Sequence, residues 1–106
     1  MSDERFGSIA YCSPEILLGN KHGLNTDMWS LGVVLHVCLS GVFPFLCDSK
    51  SETKKNIIQG RISFNQHSWY LVSDEAKDLV LRMLTPDPNF RIKLPDLFRH
   101  PWFSYY

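Results

Sequence analysis

Between Met28 and Leu39 the apolar positions are Met28, Trp29, Leu31, Val33, Val34, Leu35, Val37, Cys38 and Leu39, which fall on every side of a helical wheel. A helix that is apolar all round is covered all round, by protein or by lipid. The run is too short and too interrupted to span a bilayer, which takes about 20 apolar residues. It therefore predicts a buried central helix, with Thr26 or Asp27 capping its start and Gly41 ending it in a left-handed conformation.

A different pattern follows further on. Ala76, Leu79, Val80, Met83 and Leu84 recur at the i, i+3, i+4, i+7, i+8 spacing of a single buried stripe. Ser73, Asp74 and Glu75 supply a cap and two first-turn acids, and Thr85-Pro86-Asp87-Pro88 stops the helix. Shorter helices are predicted where Ser13-Pro14-Glu15 opens a run to Leu18 ending near Gly19, and where Ser49 or Ser51 caps a run through Lys54 and Lys55 to Gly60. A last helix runs from Asp96 to His100, with Pro95 in its first turn and Pro101 breaking it, so that Trp102 and Phe103 dock on the body. Asp3 to Tyr11, Val42 to Phe45 and Arg61 to Val72 lack helical spacing and read as loop or extended chain. The result is an all-α fold arranged around one buried central helix.

Composition narrows the function classes. The 106 residues suffice for one domain with a core. Eleven basic residues balance eleven acidic ones, which favours neither nucleic acid nor an anionic membrane as partner. The three cysteines, Cys12, Cys38 and Cys47, are odd in number and widely spaced, so free thiols are expected rather than a disulfide framework or zinc site. The polar opening from Met1 to Arg5 does not read as a signal peptide. An intracellular protein, cytoplasmic or nuclear, is expected. His22, His36, His67 and His100 show no pairing or metal spacing, and His36 reads as a packed ring inside the central helix.

Three elements in a fixed order carry more information than any of them alone. The first is Gly7-Ser8-Ile9-Ala10-Tyr11-Cys12-Ser13-Pro14-Glu15. The second is Asp27-Met28-Trp29-Ser30-Leu31-Gly32, followed by Leu39-Ser40-Gly41 and Pro44-Phe45. The third is Ala76-Lys77-Asp78-Leu79, then Asp87-Pro88-Asn89-Phe90-Arg91-Ile92 and the closing His100-Pro101-Trp102-Phe103. In this order they resemble the carboxy-terminal part of a protein kinase domain along essentially the whole chain, with Ser13 in the alanine place of Ala-Pro-Glu. Tyr11 points to the serine/threonine type. Leu-Ser-Gly with Pro-Phe, and His-Pro-Trp-Phe, look most like the calcium/calmodulin-dependent kinase group, although Phe43 replaces a frequent proline.

The resemblance implies roles. Ser8 and Tyr11 would face the protein substrate. Pro14, Glu15, Asp27, Trp29, Gly32 and Arg91 would be structural, with Glu15 paired to Arg91, whose guanidinium can hold a carboxylate through two parallel hydrogen bonds. From the residues alone, Glu15 reads rather as an exposed first-turn acid and Asp27 as a helix cap. The resemblance also implies the lower, C-lobe half of a kinase-like fold over residues 1–106, without the amino-terminal lobe and catalytic loop.

The complete domain would use ATP and magnesium. This sequence contains no Gly-x-Gly-x-x-Gly, no Val-Ala-Ile-Lys, no His-Arg-Asp and no Asp-Phe-Gly, so it offers no catalytic, nucleotide-binding or metal residue of its own. Two functions remain. One is a fragment of a serine/threonine kinase, inactive alone, partnered by the remaining kinase segments or a protein substrate. The other is a catalytically empty lobe that docks proteins through the Lys54–Lys55 helix and the Ser8–Tyr11 segment. The fragment is expected to leave an apolar face of the central helix uncovered, whereas in the rival reading, a compact module, loops carrying Phe6, Phe43, Phe45 and Trp69 fold back over it.

Overall fold

The longest helix is not placed quite where its capping residues suggested. A computed structural model describes residues 9–20, 23–64 and 67–105. It begins the central helix α2, Leu24–Ser40, one turn early, with Gly23 as a cap that brings no side-chain hydrogen bond. Thr26 does not cap because it lies inside the first turn; its hydroxyl donates to Glu15 Oε2, at 3.1 Å. Asp27 sits in the first turn, its amide donating to the Gly23 carbonyl at 3.0 Å. At the other end Gly41 takes φ 79° and returns its N–H to the Val37 carbonyl, the left-handed stop expected of glycine.

The other helices are α1 (Pro14–Leu17), α3 (Lys50–Gln59), α4 (Asp74–Met83) and α5 (Leu94–Leu97). Ser13, Ser49 and Ser73 each cap with a side-chain oxygen that accepts from the backbone three residues on. Two segments depart from expectation. The stretch 61–72 contains a short 3-10 turn, His67–Trp69, and Pro101 starts a second one, Pro101–Tyr105, rather than only ending the last helix. Ile9 and Ala10, read as loop or extended chain, have helical backbone and are buried. No strand occurs among the described residues, and the all-α expectation holds.

Two apolar clusters flank α2. Trp29 and Val33 join Ile9, Phe45, Ile57, Val80 and Leu84 on one side. Met28 joins Leu79, Met83 and Leu97 on the other, with Trp102 and Phe103 packed against them. Since α4 serves both clusters, its predicted stripe is buried entirely: Ala76, Leu79, Val80, Met83 and Leu84. The central helix, by contrast, is not covered all round. Leu31 is 47% exposed and Val34 43%, and Cys38 is exposed too.

Gly32 lets α2 and α4 approach. A Cβ at this position would stand 2.8 Å from Met83 Cβ and 3.0 Å from Leu84 Cδ2. Met83 Cβ is fixed to backbone and cannot swing aside, so Gly32→Ala is expected to destabilise by about 1–3 kcal/mol. The helix-propensity gain of about 1 kcal/mol offsets only part of that. Urea denaturation reads the result, and a midpoint at or above that of the parent chain would exclude the close approach.

Candidate functional site: a buried carboxylate–guanidinium clamp

Glu15 lies in α1, just after the segment that carries Tyr11, and Arg91 lies between α4 and α5, 76 positions later. Their side chains meet in the interior, Arg91 fully covered and Glu15 8% exposed. Arg91 Nη1 donates to Glu15 Oε2 at 2.7 Å and Nη2 to Oε1 at 2.9 Å, a parallel two-bond pair. The remaining donors go to backbone carbonyls: Nη1 to Asn25 at 2.6 Å, Nη2 to Pro86 at 3.1 Å, and Nε to Thr85 at 2.9 Å. A guanidinium has five N–H donors, and all five are used. Its face lies over the Trp29 ring, 5.0 Å from the centroid, and Trp29 stacks on Phe45 at 5.3 Å.

Electrostatics agree with the geometry. Burial pushes the Glu15 carboxyl up, but the Arg91 hydrogen bonds, the Arg91 charge and the Thr26 hydroxyl outweigh it and hold the group below its ordinary value. The clamp thus fastens the start of α2, the segment following Tyr11 and the turn after α4 to one another. Pro14 is buried beside it at the first position of α1.

Tyr11 stands at the edge of this assembly, 38% exposed, with its ring edge-on to Phe43 at 5.4 Å. Its carbonyl accepts from the Ser30 hydroxyl at 3.3 Å, tying it to α2. Ser8 lies outside the described residues. Asp27 is exposed at the start of α2, and Gly32 is buried on the flank facing α4. Glu15, Trp29 and Arg91 therefore form one unit with Pro14 buried beside it, while Gly32 meets Met83 and Leu84 on the α4 side and Asp27 lies in the first turn of α2.

Three partnerships were not read from the sequence. Thr26 and the carbonyls of Asn25, Thr85 and Pro86 complete the clamp without leaving any pattern. His100, read as unpaired, has its Nε2 2.7 Å from Asp78 Oδ2, and its Nδ1 accepts from the Trp102 amide at 3.1 Å. Arg82 bonds the same Asp78 oxygen at 2.8 Å, and together they keep the Asp78 carboxyl below its usual value. Only Asp78–Arg82, four residues apart on one helix, leaves a local signal.

Beside the clamp the surface is apolar. A groove of about 220 Å³ is lined by Leu31, Val34 and Cys38 with Met83, Leu97 and Trp102 among its other walls. A second, of about 300 Å³, meets it at Leu31 and is lined by Leu24, Met28, Ile92, Leu94 and Pro95. Phe45 and Trp69 do not cover this face: both are buried in or beside the opposite cluster. Among the described residues no group of three His, Cys, Asp or Glu side chains is placed to hold a metal ion.

The chain matches the protein kinase domain family over residues 2–103. It belongs to that family. A calcium and calcium/calmodulin-dependent serine/threonine-protein kinase of Oryza sativa subsp. japonica is 45% identical over 97 residues, 92% of this chain and 19% of that protein. Calcium-dependent protein kinase 9 of Arabidopsis thaliana is 43% identical over 96 residues, 91% of this chain and 18% of the relative. Among solved structures, the autoinhibited serine kinase domain of the giant muscle protein titin superposes with a TM-score of 0.87 at 32% identity, over 92% of this chain and 30% of that one. The kinase chain thus spans about a fifth of the length of these curated relatives. It is a partial kinase domain with the helical fold of a kinase C-lobe.

Proposed function

We propose that this kinase lobe, residues 1–106, is a fragment of a serine/threonine protein kinase, supplying the substrate-facing floor and helical base of the complete domain and inactive by itself. In the complete domain, ATP supplies the phosphoryl group and magnesium neutralises the charge that develops in its transfer to a protein hydroxyl. The present chain positions rather than reacts. Ser8 and Tyr11 face the protein substrate; Pro14, Glu15, Asp27, Trp29, Gly32 and Arg91 hold that face in place. An intracellular setting, cytoplasmic or nuclear, follows from the same assignment. Among the described residues no helix is long and apolar enough to cross a membrane.

The Glu15–Arg91 clamp carries the proposal. It fixes the chain just after Tyr11 to the turn between α4 and α5, so the Tyr11 face has one orientation relative to the helical base. A chimera tests it directly: this chain replaces the matching segment of the rice relative, and phosphorylation of a serine peptide is measured. Transfer within about tenfold of the parent enzyme is expected. A folded chimera that binds ATP but transfers nothing would overturn the reading and favour a docking lobe.

The isolated chain should show no ATP binding at millimolar nucleotide, since it has no phosphate loop, strand lysine or magnesium-binding Asp-Phe-Gly. Titration calorimetry checks this. A saturable, magnesium-dependent signal would contradict it.

A further inference from the structure

His36 lies near the end of α2 with 1% of its surface exposed. Its Nδ1 stands 2.7 Å from the Val42 carbonyl oxygen. A carbonyl only accepts, so Nδ1 carries the ring proton and Nε2 is the bare nitrogen. Nε2 is buried and has no hydrogen-bond partner among the described residues. The ring is walled instead by aromatic carbon: Trp69 meets it at 4.8 Å and 67°, and Phe64 at 6.5 Å.

The bond to Val42 closes a turn with consequences beyond it. The Ser40 hydroxyl donates to the His36 carbonyl at 2.7 Å and accepts from the Val42 amide at 3.3 Å, so the 41–46 loop is held to the helix end at several points. One residue on, Phe43 meets the Tyr11 ring; two further on, Phe45 stacks on Trp29. The His36 bond therefore anchors the loop that braces Tyr11.

A second proton has only Nε2 to occupy, and there it would be a cation facing rings with no oxygen to receive it. Burying an unpaired charge is costly, so acid drives the ring out rather than charging it in place. Burial lowers the proton affinity of His36, against the Val42 carbonyl, which raises it. Among the described residues no charged side chain contributes to that shift. On α2 the titratable residues besides His36 are Asp27, nine positions away in the first turn, and the thiol Cys38, and the thiol Cys47 follows the 41–46 loop. On the 3-10 turn His67 is exposed and stacks on Tyr70, and Arg61 before Phe64 is exposed.

We propose that His36 is a proton-operated latch: neutral, it holds the 41–46 loop to the end of α2 and Phe43 against Tyr11, and on protonation it releases both. That Tyr11 faces substrate rests on the function proposed above; the latch itself does not, and its test uses no activity.

The experiment is a pH titration of the full chain by nuclear magnetic resonance. The side-chain nitrogens of His36 report its tautomer and midpoint, and the exchange of the Val42, Phe43 and Phe45 amides, corrected for intrinsic rates, reports loop opening. The expected result is an Nδ1–H tautomer titrating below the ordinary histidine value of about 6.5, with the opening equilibrium rising about tenfold per pH unit between that value and the folded midpoint. The sign follows from proton counting: the open form binds the extra proton, so the closed form loses ground as pH falls. His36→Asn keeps a donor near the position of Nδ1 without a group that titrates there, and the pH dependence of these three amides should vanish. Unchanged pH dependence in that variant would overturn the latch. Should the variant not fold, the parent chain decides alone: His36 titrating while the three amides keep their protection overturns the proposal equally.

Discussion

Glu15→Ala is expected to cost the chain about 3–5 kcal/mol of folding stability, because it leaves a buried guanidinium without its counter-charge. That is a large share of the roughly 5–15 kcal/mol typical of a domain. The geometry explains why the loss should reach that range. Arg91 is fully covered, and its two bonds to Glu15 cannot be replaced by water without opening the junction of α1, α2 and the turn after α4. The informative measurement is a double-mutant cycle with Arg91→Met, read by urea denaturation. Each single change strands a buried charge, whereas the double change strands none, so it should cost less than the sum by several kcal/mol. A coupling near zero would exclude the pair as a structural unit. The clamp also has a pH signature. The Glu15 carboxyl lies below its ordinary value, so its contribution is present above the unfolded pKa of about 4.5 and fades as pH falls through the folded one. Glu15→Gln should flatten that acid limb.

The clamp shows what a single sequence conceals. Its two charged members are 76 positions apart, and no periodicity links them; motif order, not spacing, suggested that they meet. Thr26 was misread for a related reason. Its local chemistry is that of a cap, but the helix starts one turn earlier at Gly23, which leaves no side-chain signal, and the Thr26 hydroxyl donates to the buried Glu15 carboxylate. The stripe on α4 was legible because every member faces the same core at helical spacing. His100 was not, since its partner Asp78 is 22 positions away on α4. On α2, an all-round apolar pattern reports what the helix is suited to touch, not what this chain supplies to touch it.

That difference has a measurable outcome. Leu31 and Val34, 47% and 43% exposed, line a groove with Cys38, Leu97 and Trp102, and a second apolar groove continues it past Leu31 toward Leu24 and Leu94. Two adjoining apolar grooves are the kind of surface through which proteins associate. The isolated chain is therefore expected to bind a hydrophobic dye and to self-associate at micromolar concentration. Leu31→Glu with Val34→Glu should abolish both while leaving the helix content intact, since neither side chain belongs to the buried clusters. Burying a Leu or Val side chain contributes about 1.5–3 kcal/mol, so two half-exposed ones present twice in a symmetric pair give about 4 kcal/mol. Their loss should weaken association roughly a thousandfold. Sedimentation velocity across a concentration series, with dye fluorescence on the same samples, reads both effects. A monodisperse parent chain that binds no dye would show that this face is closed in solution, and the idea of an exposed kinase-lobe surface would fail with it.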